Sequence, residues 1–236
     1  MSHKEQLTFI KICTGVLKES FDFKKLNCLE VGSYDFNGEV RNLFKVNNYT
    51  GIDTFNGPGV DIVMNGENVE KLGKKFDITI SCECFEHTQN WHLIFQSLYN
   101  ILNSDGVMLI TCASRGRNEH GTTRSGADQS PGTINNYYKN LIISDFKNKF
   151  KIKDMFYSYT FYYNIHSYDL YFIGQKNGGG KKLDINKIRK QIKIENNFKP
   201  PFNNTKRFLL SFLIPDKLRQ DIRFFLKKFK KGSQNT

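Results

Sequence analysis

The sequence predicts an α/β fold built on a mostly parallel sheet. Short apolar runs alternate with longer mixed segments, and the runs are nearly continuous rather than alternating apolar and polar. Such runs are typical of strands that are covered by helices on both faces. The chain has 236 residues, of which 39% are hydrophobic and 14% aromatic, so we expect one domain with an appendage rather than two full domains.

The elements can be assigned in chain order. Residues 4–20 predict a covering helix, because apolar residues recur there at helical spacing. Five apolar runs predict parallel strands at 27–32, 49–53, 60–64, 76–82 and 106–113. Residues 91–102 predict a crossover helix. The aromatic runs 155–163 and 168–175 leave no room for a helix between them, so they predict an antiparallel pair at the sheet edge.

Charge divides the chain into two parts. Residues 1–178 carry 19 basic and 19 acidic side chains, whereas residues 179–236 carry 16 and 4. The boundary coincides with a run of glycines and lysines at 176–182, a composition that favours a flexible linker. The sequence therefore predicts a main domain over residues 1–178 and a basic helical tail over residues 179–236.

The tail contains an amphipathic helix, predicted for residues 214–232. One face of this helix is apolar, and basic residues occupy most of the rest; the apolar positions are Leu218, Ile222, Phe225, Leu226 and Phe229. Three partners are compatible with this pattern: an anionic membrane surface, the protein itself or a second copy in a homodimer, and nucleic acid. Nucleic acid is the least expected partner, since the main domain is charge-balanced and contains no RNA-binding motif.

Several classes of protein and site are not expected. The sequence has no run of about 18 apolar residues, which a membrane-spanning helix requires. Its five scattered cysteines lack the spacing of a zinc site or a disulfide framework. We therefore expect a cytoplasmic protein without a bound metal, whose tail can reach the inner face of the membrane.

The first strand ends in a turn with an unusual composition. The run LEVGSYDFNG, residues 29–38, carries an acidic residue, Glu30, two positions before Gly32. In open α/β sheets the ligand binds beyond the carboxyl ends of the strands, so this turn should line a ligand crevice. It lacks the G-x-G-x-x-G pattern of dinucleotide-binding turns, and its carboxylate favours a ligand with a cationic group.

Four segments in the same order resemble the motifs of class I S-adenosylmethionine-dependent methyltransferases. They are LEVGSYDFNGEV (29–40), YTGIDTFNGPGVDIVMNGENV (49–69), FDITISCECFEHT (76–88) and LNSDGVMLITCASRGRNEHGT (102–122). The resemblance covers residues 26–176, although the first motif has Ser33 and Tyr34 where the family has a second glycine two positions after the first. It implies a Rossmann-like, doubly wound, mostly parallel seven-stranded sheet. The short first motif E-V-G-S-x-x-x-N-G, with R-x-E-H-G-T at 117–122, resembles bacterial small-molecule methyltransferases, including those found with surface-polysaccharide biosynthesis.

The resemblance also implies a cofactor site for S-adenosylmethionine, whose product is S-adenosylhomocysteine. Glu30 would contact the aminoacyl part, Asp53 both ribose hydroxyls, and Asn65 the adenine. The full predicted set is Glu30, Gly32, Ser33, Asp53, Asn65, Cys82 and Glu83. A structural role remains the alternative, because Asp53 and Asn65 are common turn residues. Glu86 and His87 could contact a ligand or only orient the following helix.

The long polar segment after the fifth strand is the predicted catalytic loop, residues 114–138. His120 is the only side chain in it with an ordinary pKa near neutrality, so it is the candidate general base. The expected acceptor site is formed by Arg115, Arg117, Glu119, Arg124, Tyr137, Tyr138 and His166, with the arginines binding an anionic group. The alternative is that Glu119, His120 and Thr122 only hold the loop in shape.

Together these features predict a methyltransferase that acts by in-line displacement without a metal. The expected acceptor is the oxygen of a small or carbohydrate-linked molecule, which could be phosphorylated or nucleotide-linked. One alternative is an RNA or protein methyltransferase that uses the basic tail to bind its substrate. Another is a non-catalytic membrane or scaffold adaptor.

Overall fold

A computed structural model of the protein describes residues 3–35, 38, 40–126, 133, 136–180, 182–195 and 198–232, with side chains as far as residue 227. Seven strands form its single sheet: β1 (Asn27–Val31), β2 (Asn48–Asp53), β3 (Ile62–Val63), β4 (Phe76–Cys82), β5 (Leu102–Ala113), β6 (Phe156–Asn164) and β7 (Asp169–Lys176). Their order across the sheet is β3-β2-β1-β4-β5-β7-β6.

Six strands run in the same direction, and β7 runs against them. The pairs β1–β2, β1–β4, β2–β3 and β4–β5 are parallel, whereas β7 is antiparallel to both β5 and β6. This arrangement confirms the predicted Rossmann-like, mostly parallel seven-stranded sheet with an antiparallel edge pair. The strand order reverses between β1 and β4, so a ligand crevice is expected at the carboxyl ends of these two strands.

Both faces of the sheet are covered by helices: α1 (Lys4–Leu17), α2 (Trp91–Asn100), α3 (Ile143–Lys149), α4 (Ile152–Met155) and α5 (Ile185–Ile194). Helices α1 and α5 pack on one face, and α2, α3 and α4 pack on the other. In β1, Cys28 contributes to the first core while Leu29 and Val31 contribute to the second. This explains why the strand is apolar at consecutive positions.

The part of the chain after residue 178 is less separate than its charge predicts. Ile185, Ile188 and Ile192 of α5 are buried in the same core as α1. The backbone N–H of Leu183 also donates to the side-chain oxygen of Gln175 at 2.7 Å. Helix α5 therefore packs in the same core as α1, and the domain boundary at residue 179 stays a prediction.

Two further helices, α6 (Phe202–Leu210) and α7 (Asp216–Gly232), complete the described chain. Helix α7 turns a polar side towards the domain, where Gln220 is buried. The predicted apolar side faces outwards: Leu218, Ile222, Phe225 and Leu226 are between 44% and 60% exposed. Phe229 lies outside the described side chains. Among the described helices, none has the length and the apolar composition needed to cross a membrane.

Candidate active site

The turns that follow β1 and β4 are in contact at Gly32. Its φ of 84° lies in the left-handed region, and its N–H donates to the carbonyl oxygen of Ile52 at 2.9 Å. A Cβ at this position would lie 2.7 Å from the Cβ of Cys84. Only glycine fits both the conformation and this close approach.

Asp53, at the end of β2, connects its own turn with the turn after β1. One carboxylate oxygen accepts from the N–H of Tyr34 at 3.2 Å, and the other accepts from the N–H of Thr54 at 2.7 Å. Through these contacts Asp53 stabilises the turns after β1 and β2, which is the structural role considered as the alternative to ribose binding. The same contacts also hold its carboxylate at the switch point of the sheet, where binding of the ribose stays a prediction.

The other predicted cofactor residues after β1, β2 and β4 differ in exposure. Glu30 is buried and accepts from the Tyr49 hydroxyl at 2.7 Å. Ser33 and Cys82 are buried, whereas Asn65 is exposed just before a 3₁₀ helix at residues 66–72. Burial and the charge of Glu30 raise the pKa of the Cys82 thiol, which keeps this cysteine protonated.

Glu83 belongs to a buried ionic cluster that the sequence does not predict. The Nε2 of His3 lies 2.9 Å from an oxygen of Asp169 and 3.8 Å from an oxygen of Glu83. Arg117 approaches the other oxygen of Asp169 at 3.6 Å. Burial lowers the pKa of His3, but the hydrogen bonds and charges of the two carboxylates outweigh it and raise the pKa to about 10. His3 is therefore the cation of this cluster at neutral pH.

A second cluster joins the turn after β4 to the predicted catalytic loop. Glu86 and His87 lie in the turn, and His120 lies in the loop; all three are placed so that one ligand atom from each falls within 4.8 Å of the others. The rings of His87 and His120 are 4.9 Å apart in an edge-on arrangement. The ring of Tyr138 lies 5.0 Å from that of His120, so the predicted residues His120 and Tyr138 are together.

Hydrogen bonds orient both histidine rings. The Nδ1 of His120 lies 3.1 Å from the carbonyl oxygen of Asn118, which can only accept. His120 therefore carries its proton on Nδ1 and its lone pair on Nε2. The Nδ1 of His87 lies 3.0 Å from the hydroxyl of Thr133. The Tyr138 hydroxyl also donates to the Asn118 carbonyl, at 3.1 Å.

Burial controls the charges of this cluster. Burial and the negative charge of Glu83 raise the pKa of Glu86 to about 8. Burial, reinforced by His120, lowers the pKa of His87 to about 3; burial and the charge of Arg117 lower that of His120 to about 4. Both imidazoles are consequently neutral at pH 7, and each keeps a lone pair.

The predicted anion-binding arginines are held by protein groups. Arg115 donates to the carbonyl oxygen of Ser211 at 3.0 Å, and Arg117 donates to that of Ser167 at 2.7 Å. Arg124 forms ion pairs at 2.6 Å with both Glu119 and Asp221. These contacts fit the alternative in which the loop is held in shape, and acceptor binding by these residues stays a prediction.

The remaining predicted acceptor residues lie in different surroundings. His166 lies 3.1 Å from Glu5 of α1, and its carbonyl oxygen accepts from Asn204 of α6. It thus connects the first helix with the tail. Tyr137 is half-buried, and burial raises the pKa of its hydroxyl.

A basic cavity opens between the catalytic loop and the tail. Its volume is about 480 Å³, and its lining is Asn118, Asn203, Lys206, Arg207, Leu210, Ile214, Arg219 and Arg223. Arg207 donates to the side-chain oxygen of Asn118. The sequence predicts the tail but not this cavity, because seven of its eight lining residues come from residues 203–223 and become a cavity only where α6 and α7 pack beside Asn118. Glu86 and His87 were also not among the predicted site residues. Their position shortly after a buried strand was the feature of the sequence that could have indicated them.

The family of the chain is shown by a match to a family model. Residues 5–141, more than half of the chain, match the family described as methyltransferase domain. No curated protein has a significantly similar sequence. Among solved structures, the plantazolicin methyltransferase BpumL in complex with a monoazolic desmethylPZN analogue and SAH has a TM-score of 0.52 and 15% identity, over 74% of this chain and 84% of that one.

A second structure of similar fold is 1,6-didemethyltoxoflavin-N1-methyltransferase of Burkholderia thailandensis. Its TM-score is 0.51 at 11% identity, over 74% of this chain and 79% of that one. Both likenesses are likenesses of fold, and the family match covers the segments after β1, β2, β4 and β5. The chain therefore belongs to the methyltransferase domain family, as a class I S-adenosylmethionine-dependent methyltransferase.

Proposed function

We propose that this enzyme methylates an oxygen of a small anionic acceptor, such as a phosphorylated or nucleotide-linked sugar used in surface-polysaccharide biosynthesis. The basic cavity beside the catalytic loop is the observation that carries the proposal. Four of its eight lining residues are Lys or Arg, and none is acidic. Guanidinium groups bind phosphate and carboxylate through two parallel hydrogen bonds.

The charges in the cavity are concentrated enough to favour an anion. Burial, followed by repulsion from Arg219, Arg223 and Arg117, lowers the pKa of Arg207. Burial and Arg219 likewise lower the pKa of Arg223. An anion in the cavity would relieve this repulsion, so the gain on binding is expected to exceed that of a single exposed ion pair.

The cavity is connected to the reacting centre through Asn118. Its side chain lines the cavity, while its carbonyl oxygen holds His120 and Tyr138. An acceptor anchored by its anionic end in the cavity could thus extend a hydroxyl towards His120. The lone pair on Nε2 of His120 suits the predicted role of general base, worth about 10²- to 10⁴-fold in rate.

The cofactor would lie on the other side of this centre. Its predicted contacts are Glu30, Gly32, Ser33, Asp53, Asn65, Cys82 and Glu83. The acceptor oxygen would form the new bond to the sulfonium methyl carbon as the carbon–sulfur bond breaks, and S-adenosylhomocysteine would leave. Holding the two reactants in line can contribute about 7–11 kcal/mol. The two neighbours of similar fold were solved with SAH and a small substrate or analogue, which supports this reading.

The test compares phosphorylated sugars with their dephosphorylated forms as acceptors. Lys206→Glu should raise KM for the phosphorylated acceptors by at least about tenfold, because one charge-assisted contact contributes about 1.5–3 kcal/mol. Lys190→Glu makes the same charge change on an exposed position of α5 and serves as the matched control. Inorganic pyrophosphate should compete with the acceptor. Equal KM values for both acceptor classes in wild type would overturn the proposal.

The tail adds a second proposed contact, with an anionic membrane surface. The exposed side of α7 combines apolar side chains with exposed Lys217 and Lys227, the composition of helices that lie in a bilayer interface. The part of α7 that packs on the domain is polar, so the outward apolar face is not required for that packing. Methylation of RNA or protein remains the alternative, and RNA-dependent turnover with steep salt dependence would favour it.

A further inference from the structure

We propose that Glu86, His87 and His120 bind a divalent first-row transition-metal cation at the reacting centre. This replaces the expectation of a metal-free site, which came from a mechanism that needs no metal and from the absence of a metal-binding pattern of cysteines or carboxylates in the sequence. The residues are separated in sequence, with two in the turn after β4 and one in the loop after β5, so the cluster exists only in the folded chain.

The geometry of the three side chains fits a cation. One carboxylate oxygen of Glu86 and one nitrogen of each histidine lie within 4.8 Å of one another. Atoms that bind a cation at about 2.1 Å are separated by about 3–4 Å. A small side-chain adjustment is therefore sufficient to bring all three to bonding distance.

The carboxylate of Glu86 is the strongest indication of a ligand. The residue is fully buried, and among the described residues neither of its oxygens has a hydrogen-bond partner of regular geometry. The N–H groups of Glu86 itself and of Ala113 lie near it. A buried carboxyl group without a proper partner costs free energy, which a coordinated cation would recover.

The surroundings of the histidines are those of metal ligands. Such histidines usually present one ring nitrogen to the metal while the other bonds to a carbonyl, hydroxyl or carboxylate oxygen. The Nδ1 of His120 has the Asn118 carbonyl as this partner, and the Nδ1 of His87 has the Thr133 hydroxyl. In His120 this contact leaves Nε2 as the free ligand atom, and in His87 Nε2 is free when Nδ1 donates to the hydroxyl.

The neighbouring cluster of His3, Glu83 and Asp169 also contains buried carboxylate oxygens without a hydrogen-bond partner of regular geometry, but it differs in holding cations of its own. There the histidine lies between two carboxylates, and Arg117 supplies a second positive group 3.6 Å from Asp169. Its charges are already balanced within the protein. The cluster around His3 is therefore an internal ion-pair cluster, whereas Glu86, His87 and His120 form a set of ligands without a cation.

The ligand set also indicates the class of cation. Two imidazoles and one carboxylate suit Mn²⁺, Fe²⁺, Co²⁺ or Zn²⁺ better than Mg²⁺ or Ca²⁺, which prefer oxygen ligands. Three protein ligands leave at least one position open for a further oxygen. The acceptor hydroxyl is the natural occupant, since the basic cavity borders the same loop.

The role of the cation rests on the proposed function. A hydroxyl bound to the cation loses its proton to water at a lower pH, and the resulting oxygen attacks the sulfonium methyl. The new carbon–oxygen bond uses the oxygen lone pair, and the electrons of the broken carbon–sulfur bond return to sulfur. His120 would then be a ligand and a positioning residue, and the cation, by promoting loss of the acceptor proton, would replace the general-base role proposed for His120 above.

Metal binding is tested on the untagged full-length chain, without any acceptor. The protein is treated with a chelator, exchanged into metal-free buffer and titrated separately with MnCl₂, CoCl₂ and ZnCl₂, and bound metal is counted after gel filtration. Wild type should retain one cation per chain. Glu86→Gln, His87→Asn and His120→Asn should each weaken binding by at least about tenfold, the scale on which even outer contacts act. His92→Asn, a histidine of the neighbouring helix α2, is the control.

Thermal unfolding and S-adenosylhomocysteine binding show whether each variant is folded. Failure of folded wild type to retain any of the three cations would overturn the inference, and so would unchanged affinity in all three cluster variants. Cation binding without methylation of any anionic acceptor would contradict only the proposed function. Methyl transfer that persists fully in chelator would contradict the role of the cation while leaving the methyltransferase activity established.

Discussion

The Nε2 of His3 lies 2.9 Å from a carboxylate oxygen of Asp169, which connects the start of α1 with the start of β7. The side chain of His3 is 20% exposed, whereas that of Asp169 is fully buried. Because Glu83 lies 3.8 Å from the same nitrogen, one imidazolium serves two carboxylates next to the proposed cofactor crevice. The contact fixes the first helix over the carboxyl edge of the sheet.

Replacing His3 with Gln should lower the free energy of unfolding by about 1–3 kcal/mol. The value is below the 3–5 kcal/mol of a fully buried pair, because His3 is partly exposed and Arg117 remains as a cation. Since the pKa of His3 is raised from 6.5 to about 10 on folding, its contribution is complete below pH 6.5 and falls as the pH rises through 10. The difference in free energy of unfolding between wild type and variant, measured by urea denaturation, should therefore decrease as the pH rises from 6.5 to 10. A constant difference would contradict the raised pKa of His3.

Asp53→Ala should weaken binding of S-adenosylhomocysteine by at least about tenfold, since a hydrogen bond to a charged group contributes about 1.5–3 kcal/mol. Isothermal titration calorimetry measures the change. Asp61→Asn is the matched control: this carboxylate also holds a loop after β2, through Arg41 and the N–H of Gly51. An equal loss of affinity for S-adenosylhomocysteine in both variants would mean that Asp53 has only a structural role.

Gly32→Ala should destabilise the fold more than Gly73→Ala. Both positions have positive φ, 84° and 61°, so both substitutions introduce left-handed strain of about 1–2 kcal/mol. A Cβ at Gly32 also meets the Cβ of Cys84 at 2.7 Å, whereas nothing lies within 4 Å at Gly73. We expect an additional 1–3 kcal/mol, about the cost of overpacking, in chemical denaturation. Equal losses would mean that the turns after β1 and β4 are not in close contact.

The double variant Leu218→Ser, Phe225→Ser should reduce binding to phosphatidylserine vesicles, because these side chains are 51% and 60% exposed on the apolar side of α7. Co-sedimentation at low and high salt measures the effect. Leu93→Ser, at a 46% exposed position of α2, controls for the general loss of an exposed leucine. If wild type is instead a dimer in sedimentation analysis and the double variant is a monomer, the face is a subunit interface.

The fold was largely predictable because most strands are buried on both faces and appear as apolar runs. The run 76–82 coincides with β4. The prediction fails where pairing rather than apolar composition sets the end of a strand. β3 contains only Ile62 and Val63, which pair with β2 at the sheet edge, and β5 begins at Leu102 because that residue pairs with Phe76.

The site was predictable in part, for a similar reason. Residues at the ends of strands follow from the motif order, so Gly32 lies after β1 and Asp53 at the end of β2, and their contact with the cofactor stays a prediction. His3 was not predictable, since no local pattern relates it to Asp169, 166 positions later in the chain. The basic side chains of the cavity were not predictable either. In the sequence they are part of the general excess of Lys and Arg in the tail.

Residues 114–122, which hold His120, form no helix or strand, and α7 donates hydrogen bonds to several of their carbonyl oxygens. Arg219 donates to the carbonyl oxygens of Gly116 and Arg117, Gln220 donates to that of Arg117, and Arg223 donates to that of Glu119. The proposed acceptor site is therefore complete only when α7 has been synthesised and docked on the loop. Exchange of α6 and α7 between related enzymes would then transfer acceptor specificity as one unit, while the predicted cofactor site stays unchanged.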